Sequence, residues 1–327
     1  MSDRLLEKLR GARPGWLARD LAEAAVAASG VDLAAALREL RARGYEIDER
    51  DALGLTLRSE PDTLDADRIR RDLHTRVVGR RVHVYERVRS TSDVIRELAD
   101  EGAEEGTVVF AERQTRGRGR LGRRWWSPAG VGVWMSVLLR PPVRRESVPM
   151  TTIIGALAAA DAIRSSVGLP AMIRWPNDVL VGDRKVAGVL VEARETAVGR
   201  DLVLGIGIDV NAGQGEFPAE IAGRATSLSE AAGERVNRLD LIRALLRHLD
   251  RWYRIKLGRD LEAINDRWRE LSATRGRRIV LEARGRRFAG TVADVDVRFG
   301  IALRMSRGNI RHFRGEHVTV IEHGAAG

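Results

Sequence analysis

The stretch ERQTRGRGRLGRRWWSPAG, residues 112–130, decides how the rest of the chain is interpreted. TVVFAE (107–112) leads into it and GVWMSVLLR (132–140) follows it, and both are apolar runs typical of buried strands. Its glycines let the backbone approach a ligand, and its arginine forks match phosphate and carboxylate groups. Trp125 and Trp126 add flat faces for a heterocycle. The stretch predicts a positive loop that folds over an anion. An RGG-like, RNA-binding tail is the alternative, and the flanking strands disfavour it.

Strands and helices alternate on both sides of this loop. Periodicity predicts further strands at 171–175, 186–194 and 201–210, and helices at 91–101, 151–167 and 238–257. Short turns join several of the strands, which favours an α+β fold over a doubly wound one. From about residue 275 only short strands are predicted, as in a small barrel.

The first 63 residues have a different pattern, three helices followed by a hairpin. The third helix, 31–43, places Leu33, Leu37 and Leu40 on one face, and strand alternation follows it. This order is that of a winged helix-turn-helix. The next helix is expected to begin near Thr63 or Asp65 as its N-cap.

Two other segments carry polar residues at strand ends. In IRWPNDVLVGDRKVAG (173–188), Asn177 and Asp178 can bond a polar ligand or a hydrated metal, or can simply form a turn. Lys185 follows on a hairpin; it is one of only three lysines among the 56 Lys and Arg residues of the chain. In LGIGIDVN (204–211), the glycines permit close approach of a ligand to the strand, and Asn211 either faces that ligand or begins a turn.

Composition excludes several classes of protein. The chain has 327 residues and no cysteine, which excludes disulfides, thiolate metal sites and a cysteine nucleophile. Its six histidines are scattered, so no protein metal site is predicted. No apolar run of membrane-spanning length or secretory signal is found, and a cytoplasmic location is expected. The net charge of +10 is uneven, with about −3 over residues 1–65 and about +7 over 275–317.

Five motifs together resemble the biotin protein ligases. They are STS (90–92), QTRGRGRLGRRWWSP (114–128), RWPND (174–178), DRKVAGVLVE (183–192) and GIGIDVN (205–211), in the order and at about the spacing of that family. The resemblance implies a winged helix-turn-helix at 1–63, a catalytic domain with a mixed sheet of the biotin/lipoate ligase type at 64–273, and an SH3-like barrel at 274–327.

The resemblance also implies a reaction. Such enzymes use ATP and Mg²⁺ to convert biotin to biotinyl-5′-adenylate, then pass biotin to a lysine of the biotin carboxyl carrier protein of a carboxylase. The catalytic residues implied are Lys185, Arg118 and Arg120. The implied biotin-binding set is Ser90, Thr91, Ser92, Gln114, Gly117, Arg118, Gly119, Arg120, Lys185, Gly188 and Gly205. The implied ATP-binding set is Arg118, Arg120, Arg123, Trp125, Asn177, Asp178, Lys185, Asp209 and Asn211. The metal is expected to arrive with ATP.

Two residues depart from the family pattern, and other functions stay open. Ser92 and Asp209 stand where the family usually has Asn, which changes one contact to biotin and one to adenine. A DNA-binding regulator that senses the adenylate and a lipoate-type ligase are the alternatives. The early positions of helix 31–43 expected to be exposed, Asp32 and Ala34 to Ala36, offer no donor to a base edge, so weak DNA binding is predicted. The sequence leaves open whether the chain forms a homodimer.

Overall fold

The computed structural model describes residues 2–12, 15–27, 30–141, 147–196, 199–314 and 318–323. The chain divides into two compact units, with the boundary between Thr63 and Leu64. No helix among the described residues is long and apolar enough to cross a membrane.

The first unit contains three helices and a two-stranded antiparallel sheet, in the order predicted. Its elements are α1 (Asp3–Gly11), α2 (Arg19–Ala27), α3 (Leu33–Ala42), β1 (Glu46–Arg50) and β2 (Gly54–Ser59). Leucines of the helices pack with Tyr45 and Ile47 into a separate core. Asp32 caps α3 by accepting a hydrogen bond from the Ala35 amide at 2.6 Å. The expectation that Ala36 is exposed is wrong, because this residue faces the core and is 1% exposed.

A seven-stranded mixed sheet forms the centre of the second unit. The strand order is β3-β4-β5-β9-β8-β7-β6, and only β3 and β4 run parallel among these neighbours. The strands are β3 (Val82–Val88), β4 (Val108–Gln114), β5 (Gly132–Leu139), β6 (Met172–Arg174), β7 (Asp178–Val181), β8 (Arg184–Thr196) and β9 (Gly199–Asp209). This sheet confirms the predicted α+β class.

Helices cover both faces of this sheet, which is why β5 is buried along its whole length. The helices of the second unit are α4 (Ala66–Arg70), α5 (Thr91–Asp100), α6 (Ser147–Ser166), α7 (Ala219–Ala222), α8 (Leu228–Ala232), α9 (Arg238–Leu257) and α10 (Leu261–Glu270). Ile95 of α5 packs on Val109, Leu138 and Val203 on one face. On the other face α6 lies so close that a Cβ added at Gly155 would meet Leu204 and Val189 at 2.9 Å.

A five-stranded antiparallel sheet, named here the C-terminal sheet, ends the described chain. Its order is β13-β12-β11-β10-β14, and its strands are β10 (Arg278–Ala283), β11 (Arg286–Asp296), β12 (Gly300–Arg304), β13 (Ile310–Phe313) and β14 (Val318–His323). Side-chain bonds tie it to α10: Asn265 donates to Asp296 at 3.0 Å and accepts from the Val297 amide at 2.9 Å. The barrel-like run of short strands is thereby fixed to the central sheet.

Some elements differ from the sequence expectations. Asp65 rather than Thr63 is the N-cap of α4, since its carboxylate accepts from the Arg68 amide at 2.8 Å. Periodicity did not predict β3 or α10. The first four residues of β3, Val82 to Tyr85, are only half-buried, and this edge strand lacks a strong apolar alternation.

Candidate functional site

A pocket of about 460 Å³ lies over the end of β9 and collects most of the motifs. Gly205, Gly207 and Asp209 share one face of β9, because strand side chains alternate. That face is the pocket floor. The walls come from the start of α5, the end of β4, the arginine loop, the β6–β7 turn and the first residues of β8.

Hydroxyl groups meet at the Gly205 end of the floor. Ser136 Oγ lies 2.8 Å from Thr91 Oγ1 and 3.0 Å from Ser92 Oγ. Gln114 accepts from the Thr91 amide at 2.9 Å and donates to Ser127 Oγ at 3.0 Å. This buried cluster holds donors and acceptors in fixed positions, which suits a small polar ring system.

The Trp125 ring lies directly on the glycine floor. A Cβ at Gly207 would be 2.5 Å from Trp125 Nε1, and a Cβ at Gly188 would be 2.7 Å from the same ring. Trp125 Nε1 is buried and has no hydrogen-bond partner among the described residues. Both glycines are therefore required by a flat aromatic contact, and the indole N–H is enclosed at that contact.

Lys185 stands at the middle of the pocket between an aromatic ring and a carboxylate. Its Nζ lies 2.5 Å from Asp178 Oδ1 and 4.9 Å from the centre of the Trp125 ring. Arg174 donates to the other oxygen of Asp178 at 2.9 Å. Burial alone would raise the pKa of Asp178, but Lys185 and Arg174 bring that pKa below its usual value. The group is thus an ionised carboxylate with two cations.

The arginine loop crosses the pocket and is anchored from both sides. Arg118 donates to Asp93 at 2.5 Å and to Glu192 at 3.1 Å, and Arg120 donates to Asn177 Oδ1 at 3.2 Å. Burial lowers the pKa of Arg120, and the nearby Arg123 cation acts in the same direction. The loop therefore concentrates positive charge that an anionic ligand would relieve.

Asp209 occupies the far end of the floor. Its side chain is 6% exposed, and burial raises the pKa of its carboxyl well above the ordinary value, while the Lys185 charge opposes that shift. The pocket thus contains two carboxyls whose pKa values are shifted in opposite directions, downward for Asp178 and upward for Asp209.

The structure brings most of the implied site residues together. Those lining the pocket are Ser90, Thr91, Ser92, Gln114, Arg118, Gly119, Arg120, Arg123, Trp125, Asn177, Asp178, Lys185, Gly188, Gly205 and Asp209. Gly117 lies behind the wall, where a Cβ would meet the Trp125 carbonyl oxygen at 2.6 Å. Asn211 is not brought to this pocket. Its side-chain Nδ2 donates to the Val236 carbonyl oxygen, and its Oδ1 accepts from the Val236 amide, both at 2.9 Å.

Sequence reasoning gave no role to the lining residues Ser136 and Arg174, and it named Gly207 only through the glycines of the 204–211 segment. Ser136 carried a usable signal, as the one polar residue in the apolar strand GVWMSVLL. Gly207 continues the two-residue alternation begun at Gly205. Arg174 stands in the RWPND motif, but its pairing with Asp178 becomes apparent only in the structure, where the turn between them brings the two side chains together.

A second pocket of about 590 Å³ adjoins the first and shares Arg120, Trp175 and Val189 with it. It opens beside the β11–β12 turn at Arg298 and the start of α6. As for metals, the described residues contain no group of three or more His, Asp or Glu side chains that could hold an ion.

Comparison with known proteins places this pocket in a family. A model described as the biotin/lipoate A/B protein ligase family matches residues 84–209. The bifunctional ligase/repressor BirA of Bacillus subtilis is 40% identical over 220 residues, 67% of this chain and 67% of that protein. The biotin--[acetyl-CoA-carboxylase] ligase of Mycobacterium tuberculosis is 32% identical over 205 residues, 57% of this chain and 73% of that protein.

A solved structure shares the fold. The biotin protein ligase of Aquifex aeolicus in complex with biotin and ATP superposes with a TM-score of 0.65 and 27% identity, covering 74% of this chain and 98% of that one. The matched family segment runs from β3 to the end of β9 and so includes the whole floor over which the hydroxyl cluster, Lys185 and Asp209 are arranged. The chain belongs to the biotin protein ligase family.

Proposed function

We propose that this chain is an ATP-dependent biotin protein ligase whose reaction runs along β9. In the first step a biotin carboxylate oxygen attacks the α-phosphorus of ATP, and the bond to pyrophosphate breaks. In the second step an acceptor lysine amine attacks the acyl carbon of biotinyl-5′-AMP, AMP leaves, and the amine loses a proton. The observation that carries the proposal is the order of groups along β9: the hydroxyl cluster lies beside Gly205, Lys185 lies beside Gly188, which pairs with Gly207, and Asp209 follows.

Biotin would occupy the Gly205 end. The polar ring of biotin fits the fixed donors and acceptors of Thr91, Ser92, Ser136 and Gln114. Ser90, whose hydroxyl caps the start of α5, supports that cluster. Ser92 is shorter than the Asn usual in the family, and its hydroxyl is hydrogen-bonded to that of Ser136. This hydroxyl pair would make the contact to biotin that the Asn side chain makes in the family.

Lys185 would bridge the two reacting anions. A carboxylate and an α-phosphate repel each other, and charge grows on the phosphoryl oxygens in the transition state. A compact ammonium fits between them, whereas the planar guanidinium of arginine is wider. Arg118 and Arg120, from the loop above, would hold the phosphate oxygens, with Gly119 allowing the close approach of the loop.

The nucleotide would extend from Lys185 toward Asp209. Trp125 offers a flat face, and Arg123, Asn177 and Asp178 also line the pocket. Mg²⁺ fits this donor set as an ion bound mainly by ATP phosphates, which is its usual mode. Bound there it would neutralise phosphate charge, and the residues of the chain would position the two substrates.

The acceptor would be a biotin carboxyl carrier protein of a carboxylase. The adjoining pocket beside Arg298 gives a lysine side chain a route to the acyl carbon. The catalytic domain is proposed at 64–273, an SH3-like barrel at 274–327 and a winged helix-turn-helix at 1–63. The resemblance to relatives named ligase/repressor keeps a DNA-binding regulator as the second candidate function.

One assay separates these functions. The protein is mixed with a carrier domain, ATP, Mg²⁺ and either biotin or lipoate, and the mass of the carrier and the released pyrophosphate are measured. A mass increase equal to biotin minus water, with biotin only, is expected. A shift with lipoate alone would favour a lipoate-type ligase, and no pyrophosphate with either acid would reject the enzyme function.

A further inference from the structure

Asp209 poses a problem that the proposed function does not solve. It ends β9 on the ligand-facing side of the strand, and its carboxyl is almost fully enclosed. Lys185, the cation whose charge acts on Asp209, is paired with Asp178 at 2.5 Å instead. An enclosed carboxylate without a close cation is costly, because its charge has lost the solvation of water.

Distance along the strand fixes what Asp209 faces. It lies four positions beyond Gly205, which is about 14 Å at the usual strand rise of roughly 3.4 Å per residue. A biotinyl nucleotide with its polar ring at the hydroxyl cluster and its phosphate at Lys185 has its base beyond that phosphate. Asp209 therefore lies at the base end of the ligand.

We propose that Asp209 acts as a protonated carboxylic acid that recognises the adenine base, donating one hydrogen bond and accepting another. This inference rests on the proposed function. The O–H would donate to a ring nitrogen of adenine, and the carbonyl oxygen would accept from the exocyclic amino group. A neutral acid offers the same donor–acceptor pair as the side-chain amide of Asn. An ionised carboxylate offers only acceptors and would repel the lone pair of the ring nitrogen.

The surrounding charges support the neutral form. Burial in the pocket raises the pKa of Asp209, and Lys185 is the cation that opposes this shift. Once Lys185 engages the negatively charged carboxylate and phosphate of the substrates, its hold on an ionised Asp209 weakens. The charged side chains that line the pocket are Arg118, Arg120, Arg123, Arg124, Arg174, Asp178, Lys185 and Arg224.

The pH dependence of nucleotide binding tests this inference. Affinity for α,β-methylene-ATP, which cannot release pyrophosphate, is measured with saturating biotin from pH 5.5 to 9.5 for wild type, Asp209→Asn and Asp209→Leu. Wild-type affinity should fall by about tenfold per pH unit above the pKa of Asp209. Asp209→Asn should lose this fall and bind at least tenfold more tightly than wild type at the alkaline end. Asp209→Leu, which can neither donate nor accept, should bind at least tenfold more weakly than Asp209→Asn throughout.

A second ligand isolates the base contact from the titration of phosphates. The triphosphate of purine riboside lacks the amino group of adenine, so the advantage of ATP over it should shrink in Asp209→Leu and stay in Asp209→Asn. Parallel pH profiles for wild type and Asp209→Asn, or wild-type affinity in Asp209→Leu, overturn the inference. Wild-type pyrophosphate release with biotin and ATP is measured in parallel. If pyrophosphate is released but the pH profiles of wild type and Asp209→Asn are parallel, only this inference fails. If no pyrophosphate is released, the proposed function fails too.

Discussion

Lys185 Nζ lies 2.5 Å from Asp178 Oδ1, and the same ammonium stands 4.9 Å from the centre of the Trp125 ring. Without substrate the lysine is thus held by a carboxylate and an aromatic face. The substrates bring two further anions to the same place. The ammonium can contact them by a small displacement, because Asp178 keeps Arg174 as a second cation.

We expect Lys185→Arg to keep the fold and lose adenylate synthesis although the charge is unchanged. A planar guanidinium is wider than the ammonium that would lie between the biotin carboxylate and the α-phosphate. Losing that bridging cation should cost a few kcal/mol of transition-state stabilisation, roughly a hundredfold or more in rate. Pyrophosphate release is the measurement. Lys8→Arg, at an exposed position of α1, is the matched control and should behave as wild type. Release by Lys185→Arg within tenfold of wild type would reject this role.

Residues close in sequence were predicted better than residues that only the fold brings together. The strand–loop–strand arrangement around the arginine loop followed from apolar runs and glycines that lie in one continuous segment. The shared hydroxyls of Thr91, Ser92 and Ser136 join α5 to β5 across more than forty positions, and no local pattern encodes that pairing. Asn211 shows the opposite failure. It belongs to a motif that was expected to face a ligand, yet its side-chain amide is hydrogen-bonded to the backbone of Val236 in the α8–α9 connection.

We expect Gly117→Ser to let the activated intermediate escape. The added Cβ would meet the Trp125 carbonyl oxygen at 2.6 Å and Ser127 Oγ at 2.7 Å, which displaces the segment that closes the pocket. Arg120→Ala should act in the same direction by removing a phosphate contact. Both should raise the dissociation rate of biotinyl-5′-AMP and the biotinylation of bystander lysines, measured by mass spectrometry.

The control for this loop is Gly215→Ser, where an added Cβ has nothing within 4 Å. The loop is also expected to become protected from protease when biotin and ATP are bound, because bound anions relieve the repulsion among its arginines. Equal cleavage between residues 116 and 124 with and without both substrates would count against a closing loop.

We expect the C-terminal sheet to speed docking of the carrier through its charge. Arg284, Arg286 and Arg287 are exposed at the β10–β11 turn, in a segment that carries about +7 over residues 275–317. Arg284→Glu with Arg286→Glu should slow biotin transfer to an acidic carrier severalfold and leave adenylate formation unchanged, because charges away from the chemistry change encounter rates. Arg80→Glu with Arg87→Glu, on and beside β3, is the control. A transfer rate unchanged by salt up to 0.5 M would contradict steering.

The last prediction is that the first unit does not bind an operator tightly. In the proposed winged helix-turn-helix, α3 would be the recognition helix, but Ala36 is buried, and Asp32 is committed to capping the helix. Two of its three late arginines are already paired: Arg41 donates to Glu49 at 2.7 Å and Arg43 to Asp3 at 3.0 Å. Few donors remain for base edges, and the negative charge of the segment opposes phosphate binding.

Fluorescence anisotropy with the promoter of the organism's biotin-synthesis genes, with biotin and ATP at about 0.1 M salt, measures this binding. We expect a Kd no tighter than about 1 μM, the range of non-specific binding, with little preference over scrambled DNA. Ala34→Arg places a cation on the exposed side of α3 and should strengthen binding and steepen its salt dependence by roughly 0.9 in the logarithmic slope. Specific nanomolar binding by the wild type, abolished by deletion of residues 1–63, would contradict the prediction, since it would require more donors than this helix presents.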